Sequence, residues 1–354
     1  MTQSPRPLTV PDRKRQRLTV SDRSSAFRPI AFDGGFGFAK IVYNNEFITT
    51  PALLAPVRNH LHDVPTSRQG GLVAYLDGPR QDLKETLWMT GFPAYQYFPQ
   101  DHQRVVDTPD GKITYGLQML LGCLATLPYQ AFWNLNLVAS IQDAEVMGAR
   151  LAEALTGYHH VKFADNAPCT VNIRVLRVFE ESFGVIAAHH KNLRNSRQTV
   201  VFDLGYGTTI VSLFAENGSL AGRTVINLGV GKLINAIATN ALVRQALSQP
   251  GDPVLIREAI ERGDFLYGTT EFSLKASYDA ELGPWVAAVL APAKKAASPW
   301  LVNADHILGI GGGSQLPLIY DLLKTQQINP VKNGAQAHAN GLYLLAEAAS
   351  TTRR

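Results

Sequence analysis

Short apolar runs separated by Gly, Asn and Pro alternate along this chain with stretches whose apolar residues recur at helical spacing. From Pro29 to Thr50 the pattern predicts three strands, joined first by a Gly loop and then by a tight turn at Asn44 and Asn45, since Asn tolerates positive φ. Further strands are expected at 135–140, 159–163, 169–179 and 306–310. Helices are expected at about 115–125, 143–155, 181–190, 231–248, 252–262, 284–297, 314–324 and 335–348. Residues 51–112 are rich in Pro, Gly, Gln and His, and we expect them to form a small, irregular insertion.

One strand-loop-strand pattern occurs twice. Residues 31–43 read AFDGGFGFAKIVY, and residues 200–214 read VVFDLGYGTTIVSLF. In each, an apolar strand enters an Asp, a loop of the form Asp-X-Gly-X-Gly follows, and a second apolar run returns. Strands and helices then follow each hairpin in a similar order, which predicts an α/β fold with two domains of similar plan. We expect the two loops to face each other across a cleft.

The two loops have the chemistry of a phosphate site. Glycine permits positive φ and has no Cβ, so successive N–H groups can point to one side and bind an anion. Asp33 and Asp203 would repel a phosphate unless a cation lay between them, and we expect them to hold a hydrated Mg²⁺. Lys40 is placed to neutralise phosphate charge. The hydroxyls of Thr208 and Thr209 are either phosphate donors or parts of an ordinary strand, and the sequence leaves both interpretations open.

A third glycine-rich element lies near the C-terminus, where residues 306–323 read HILGIGGGSQLPLIYDLL. Its glycines, above all Gly311, Gly312 and Gly313, would let the backbone approach a flat ring or a sugar, and a helix is expected just after them. The glycine spacing departs from the dinucleotide-binding fingerprint, and no Gly-Lys-Ser/Thr follows a Gly loop as in a Walker A site. The pattern therefore argues against Rossmann and P-loop sites.

Composition limits the possible classes of protein. A chain of 354 residues, 45% hydrophobic and 18% charged, is typical of a globular protein with two domains. No apolar run approaches the roughly 18 to 20 residues of a membrane span, and no signal peptide is recognised. The two cysteines, Cys123 and Cys169, lack metal-ligand spacing, which fits a reducing compartment. We therefore expect a cytoplasmic protein without a membrane partner.

Residues 1–28 differ from the rest of the chain. This leader is basic, and LTVPDR at 8–13 recurs in it as LTVSDR at 18–23. With almost no aromatic residues it cannot bury enough surface to fold alone, so disorder is the first expectation. The alternative is an arm that docks on a protein partner or on nucleic-acid phosphates.

The three glycine motifs resemble the phosphate-1, phosphate-2 and adenosine motifs of the actin, Hsp70 and sugar-kinase superfamily of ATPases, matched here by DGGFGFAK, DLGYGTT and GIGGGS. Residues 137–163 and 336–348 make the chain most similar to prokaryotic actin-like proteins of the ParM/StbA type. The resemblance implies the two-domain actin-like fold, a duplicated ribonuclease H-like fold with a nucleotide cleft between the domains. It also implies the domain bounds: domain I at 29–178, completed by 330–354, and domain II at 179–329.

The resemblance further implies roles for individual residues. Asp33 and Asp203 would manage Mg²⁺ and its waters, and Glu181, with Glu180 as second choice, would orient the attacking water. The helix macrodipole alone would also explain acids at that helix start. ATP or GTP would contact Gly34, Gly35, Phe36, Gly37 and Lys40 on one side, Gly205, Tyr206, Gly207, Thr208 and Thr209 on the other, and Gly311, Gly312, Gly313 and Ser314 at the adenosine.

The function implied by the resemblance is an ATPase that polymerises head to tail and weakens its filament on hydrolysis, because head-to-tail contacts do not close. Its partners would be further copies of itself and an adaptor that carries plasmid DNA for segregation. Two alternatives remain open. One is a small-molecule kinase of the same fold, for which Asp143 is the only candidate base, and the other is a nucleotide-binding scaffold without hydrolysis.

Overall fold

The computed structural model describes residues 26–351, apart from 59–60, 62, 64–66, 109 and 190–197. Most of the predicted basic leader, residues 1–25, lies outside the described residues. Within the part of the chain that the structure describes, no helix is both long and apolar enough to cross a membrane.

The strands of the described residues form two sheets. The first has the order β3-β2-β1-β8-β10-β9-β5-β6-β4-β7 and contains β1 (Arg28–Gly34), β2 (Phe38–Tyr43), β3 (Glu46–Pro51), β4 (Leu53–Pro56), β5 (Leu72–Asp77), β6 (Thr86–Thr90), β7 (Gln103–Arg104), β8 (Phe132–Ile141), β9 (Gly157–Phe163) and β10 (Cys169–Glu180). The second has the order β13-β12-β11-β14-β15 and contains β11 (Gln198–Leu204), β12 (Thr209–Ala215), β13 (Leu220–Ile226), β14 (His306–Ile310) and β15 (Asn329–Pro330).

The same strand plan occurs in both sheets. In the first, β1 pairs antiparallel with β2 and parallel with β8, and Asp33 lies opposite Lys40. In the second, β11 pairs antiparallel with β12 and parallel with β14, and Asp203 lies opposite Ile210. Both aspartates therefore stand at the carboxyl end of a central strand, immediately before a glycine loop. The predicted α/β fold with a duplicated plan is confirmed.

Helices cover both faces of each sheet. They are α1 (Phe92–Tyr97), α2 (Gly111–Thr114), α3 (Gly116–Leu124), α4 (Ala144–Leu155), α5 (Phe183–His189), α6 (Val230–Thr239), α7 (Ala241–Leu247), α8 (Pro253–Arg262), α9 (Lys275–Leu301), α10 (Ile319–Thr325) and α11 (Gly334–Thr351). In β1, Ile30 and Phe32 join the core under α3 and α4, whereas Ala31 faces the core under α11. The second sheet packs one face against α6, α8, α9 and α10, and the other against α5.

Two helices cross between the sheets. Helix α5 follows the last residue of β10 in the first sheet but packs on the second, with Val185 and Ile186 in that core. Helix α11 follows the second sheet but packs on the first, through Leu342 among others. The backbones approach closely at Gly184 and Gly341, where a Cβ on Gly341 would collide with the Gly184 backbone. This crossing joins the halves of the molecule beneath the two glycine loops.

The predicted strands and turns agree well with the structure, and Asn44 and Asn45 adopt the expected positive φ of 50° and 62°. The helix predicted at 231–248 is instead two helices, because the Asn240 side chain accepts from Leu242 N–H and caps a second helix. The helix predicted at 284–297 is longer, because burial of residues such as Trp285 and Leu290 retains helix around Pro284, Pro292 and Pro299. Residues 51–112 are more regular than predicted, since GGLVAYLDG and ETLWMTGF supply the antiparallel pair β5 and β6.

Candidate functional site

A cavity of about 510 Å³ lies between the two sheets, within the usual range of small-molecule sites. Three glycine segments form its walls: residues 35–37 after β1, residues 205–208 after β11, and residues 311–313 after β14. Each follows the end of a central strand, so the duplicated strand plan brings all three to one cleft. The sequence predicted this meeting of the three motifs.

Glycine is required where these segments approach each other. A Cβ on Gly37 would lie 2.7 Å from the Cβ of Tyr206, so the two loops touch across the cleft only because residue 37 lacks a side chain. A Cβ on Gly311, whose φ is +82°, would lie 2.5 Å from Asp203 Oδ1. Because these glycines lack side chains, the loop backbone and the Asp203 carboxylate face the cavity.

Asp33 forms a buried polar cluster on the first-sheet side. Lys40 Nζ donates to its Oδ2 at 2.7 Å, and Ser140 Oγ donates to its Oδ1 at 3.3 Å. Burial raises the pKa of the Asp33 carboxyl, but the nearby positive charges, of which Lys40 is the strongest, and the hydrogen bond from Lys40 together outweigh burial and hold the pKa well below its usual value. Asp33 is therefore ionised, and Lys40 already has a partner.

A buried histidine extends this cluster towards the crossing helices. Gly184 N–H donates to His338 Nδ1 at 3.0 Å, so the proton of the neutral ring sits on Nε2, which donates to Ser140 Oγ at 2.8 Å. Burial lowers the pKa of His338, consistent with the neutral form. His338 thus ties α11 and the start of α5 to the side chain that supports Asp33.

The pKa of Asp203 is shifted in the opposite direction to that of Asp33. Burial raises the pKa of Asp203 to about 6, and the negative charge of Glu181 adds to the rise, while Lys40 opposes it. Ser182 Oγ donates to Asp203 Oδ2 at 3.1 Å, and Ser182 has a positive φ of 71°, an uncommon conformation for a residue with a side chain. The local backbone therefore holds the turn before α5 against Asp203.

The two adjacent glutamates have different surroundings. Glu180 ends β10, where its Oε1 accepts from Ala144 N–H at 2.7 Å and its Oε2 pairs with Arg223 at 2.7 Å. Glu181 lies in the next turn, before α5 begins at Phe183, and lines the cavity. Glu180 is committed to capping α4, so only Glu181 faces the space between the loops.

Not every residue that the sequence analysis assigned to the site lies at the cavity wall. The Thr209 hydroxyl is buried and donates to the Leu228 carbonyl at 3.0 Å, and the buried Ser314 hydroxyl donates to the Gly311 carbonyl at 2.8 Å. Gly34 belongs to β1 and does not line the cavity. Asp143 lies outside the cavity lining, 3.8 Å from Arg223. The remaining selected residues line the cavity: Asp33, Gly35, Phe36, Gly37, Lys40, Glu181, Asp203, Gly205, Tyr206, Gly207, Thr208 and Gly311–Gly313.

Charged residues that the sequence did not single out also line the cavity. Lys112 reaches it from α2, Arg257 and Glu261 from α8, and His338 from α11. Arg257 and Glu261 are one helical turn apart on a helix that was predicted, so their shared face could have been recognised. Lys112 belongs to no motif, and nothing in the segment 336–348 marks His338 as a residue of the site, so only the tertiary fold brings them here.

Two contacts connect the two sides of the cleft, and we call them the clasp. Tyr95 in α1 donates from its hydroxyl to Asp252 Oδ2 at 2.7 Å, and Asp252 also caps α8 by accepting from Val254 N–H. The guanidinium of Arg257 lies 4.3 Å from the ring centroid of Phe38. Both contacts join an element attached to the first sheet to α8 beside the second.

No protein-family model matches the sequence, and no curated protein matches it at a significant level. Solved structures do match. An apo pSK41 ParM structure has a TM-score of 0.64 at 15% identity over 93% of this chain and 99% of the other. A 15-stranded ParM filament from Clostridium botulinum gives 0.71 at 15% over 92% and 100%. The ADP complex of Ta0583, an archaeal actin homologue, gives 0.69 at 15% over 91% and 100%.

The chain has an actin-like fold of the ParM type. At this level of identity the likeness concerns the fold alone, and it agrees with the fold that the three motifs implied. The cavity described above is therefore the cleft between the halves of an actin-like molecule.

The actin-like cleft has residues that fit a divalent cation. Asp33 is ionised, and the raised pKa of Asp203 reflects burial beside other negative groups, which a cation would relieve. Among the described residues, no group of three or more His, Cys, Asp or Glu side chains could hold a metal ion. Mg²⁺ would suit such a site, because it binds through one or two carboxylates and takes its other ligands from phosphates and water.

Proposed function

We propose that this protein is an ATP-dependent, filament-forming actin-like ATPase that needs Mg²⁺. The observation that carries the proposal is the pairing of two matched Asp-X-Gly-X-Gly loops across one cavity, with Glu181 between them. The Gly loops would bind the phosphate chain, and Gly311–Gly313 would lie against the nucleoside. Mg²⁺, when held near Asp33 and Asp203, would neutralise phosphate charge. Glu181 would accept a hydrogen bond from the attacking water.

Self-association is the second part of the proposal. It is supported by the likeness to a ParM filament structure. The filament is a property of that protein, and what the two chains share is the fold. A single chain that binds head to tail builds an open filament rather than a closed ring when its rotation does not close. We propose that the filament is cytoplasmic and segregates plasmid DNA through an adaptor. If so, plasmid loss should rise when the protein carries Glu181→Gln.

The direct test uses the full-length protein with ATP and Mg²⁺, with ATP and a chelator, and with ADP and Mg²⁺. Light scattering and electron microscopy should show filaments in the first condition, while a phosphate assay follows hydrolysis. Protein that stays monomeric at high concentration with ATP and Mg²⁺ would contradict the filament. Binding without phosphate release would favour the scaffold alternative. Hydrolysis that requires an added sugar would favour the kinase, although Asp143 does not line the cleft.

Gly37→Ala is expected to weaken nucleotide binding roughly tenfold. The new Cβ would lie 2.7 Å from the Tyr206 Cβ, so the two phosphate loops must separate, and overpacking of this kind costs about 1 to 3 kcal/mol. Calorimetric titration with ADP and with ATP measures the loss. Gly283→Ala is the matched control, because a Cβ there meets nothing within 4 Å. Equal affinities in Gly37→Ala and the unaltered protein would contradict the proposed contact.

Tyr95→Phe is expected to speed nucleotide release about fivefold. It removes one hydrogen bond of the clasp, worth about 1 kcal/mol, but leaves the Asp252 cap of α8 in place. A stopped-flow chase of a fluorescent nucleotide measures the release rate. Tyr129→Phe serves as the control, since the Tyr129 hydroxyl donates to the Pro168 carbonyl on the first-sheet side, at 3.5 Å, and does not line the cavity. An unchanged rate would show that the clasp does not limit release.

A further inference from the structure

Lys112 is a buried cation in the wall of the cleft. Its side chain is only 5% exposed, and its ammonium pairs with Glu181 Oε1 and lies 4.4 Å from the ring centroid of Phe36. Gly111 makes this position possible, because a Cβ on it would collide with the Val105 carbonyl under the short helix α2. The chain therefore places a positive charge directly on the residue proposed to orient water.

This pairing restrains Glu181. A carboxylate whose Oε1 is bound by a buried ammonium is held in place and partly neutralised, so it is a weaker acceptor for a water molecule. The second lysine in the cavity wall, Lys40, does not restrain Glu181 in this way, because it pairs with Asp33, which is proposed to hold the metal ion. Lys112 is thus the cation whose release would change the state of Glu181.

We infer that Lys112 senses the terminal phosphate of the nucleotide by exchanging its partner, from the Glu181 carboxylate to the γ-phosphate. This rests on the proposed function. A terminal phosphate carries nearly two negative charges near neutral pH and three acceptor oxygens, so in the cleft it competes well with a single carboxylate. Lys112, Glu181 and both phosphate loops line the same cavity, so the ammonium lies at the wall of the space that the phosphates would occupy.

The exchange gives the site a means of telling a nucleoside triphosphate from a diphosphate. A diphosphate has no γ-phosphate and leaves the Lys112–Glu181 pair intact. A triphosphate draws the ammonium away and frees Glu181 to accept from water. Lys112 then contributes to the preference for triphosphate and also to the onset of hydrolysis.

The test separates phosphate binding from mere neutralisation of Glu181. It compares Glu181→Gln with the double variant Glu181→Gln, Lys112→Met, because the double variant leaves no buried unpaired charge and hydrolysis is slow in both. Calorimetry gives the Kd of ADP and of ATP, each with Mg²⁺. We expect the ratio of the ADP Kd to the ATP Kd to fall about tenfold or more when Lys112 is also replaced.

An unchanged ratio would overturn the inference, since Lys112 would then serve only as a partner for Glu181. Lys84→Met in the Glu181→Gln background is the matched control, because Lys84 is exposed, pairs with Asp77 and lies outside the cavity. Lys112→Gln is the second variant if the Met variant does not fold, as judged by its unfolding curve. Failure of the unaltered protein to bind either nucleotide would instead refute the proposed function.

Discussion

Replacing Glu181 with Gln is expected to lower the rate of phosphate release from ATP by at least about 100-fold, while ATP still supports filament assembly. Glutamine keeps the size of the side chain but loses the carboxylate that would orient and polarise water, and such groups contribute roughly 10² to 10⁴ to a rate. Nucleotide contacts come from the glycine loops, so binding should persist. A steady-state phosphate assay measures hydrolysis, and sedimentation of the same samples measures assembly.

Glu180→Gln is the informative comparison, because the sequence left the choice between two adjacent glutamates open. Glu180 accepts from Ala144 N–H and pairs with Arg223, away from the cavity wall. Loss of its charge should lower the free energy of unfolding by about 1 kcal/mol and leave the rate of hydrolysis within a few-fold. A loss of hydrolysis in Glu180→Gln equal to that in Glu181→Gln would show that the assignment of the water-positioning residue is wrong.

The sequence predicted the glycine loops and the two aspartates that line the cavity, because each loop is encoded by a short continuous segment. An Asp at the end of an apolar strand, followed by glycines and a returning strand, fixes a loop whatever the rest of the fold does. Two such segments needed only a shared strand plan to meet, and the register of Asp33 with Lys40 and of Asp203 with Ile210 repeats that plan. Helix and strand positions followed from periodicity for the same reason.

The remaining features depend on contacts between distant segments. The Thr209 hydroxyl was open to two interpretations because nothing local reveals that the Leu228 carbonyl is its acceptor. Lys112 lies in a segment predicted to be irregular, and its partner Glu181 is 69 positions further along the chain. His338 bridges α5 and Ser140 from an amphipathic helix in which a buried histidine has no distinctive spacing. Residues of this kind are found from side-chain geometry.

Asp203→Asn is expected to stabilise the unliganded protein by about 2 kcal/mol above pH 7 and to abolish the dependence of nucleotide binding on Mg²⁺. Burial and the charge of Glu181 raise the pKa of Asp203 to about 6, above its value of 3.8 in the unfolded chain. The folded state therefore holds the proton more tightly, so the contribution of Asp203 to stability is greatest below pH 3.8 and is lost as the pH rises through about 6. One pKa unit corresponds to about 1.4 kcal/mol, and the partial exposure of Asp203 reduces the total.

Urea unfolding at several pH values, without nucleotide or metal, measures this effect. The advantage of Asp203→Asn over the unaltered protein should be full at pH 8 and shrink as the pH falls towards 4, where Asp203 of the folded protein is protonated and as neutral as asparagine. Asp165→Asn is the control, because Asp165 is exposed in a turn and lies outside the cavity. In the unaltered protein the affinity for nucleotide with Mg²⁺ should decrease below pH 6, because a cation must then displace the proton on Asp203. A gain in stability that does not vary with pH would mean that the buried charge of Asp203 does not destabilise the unliganded protein. A nucleotide affinity that still depends on Mg²⁺ in Asp203→Asn would mean that the cation binds elsewhere.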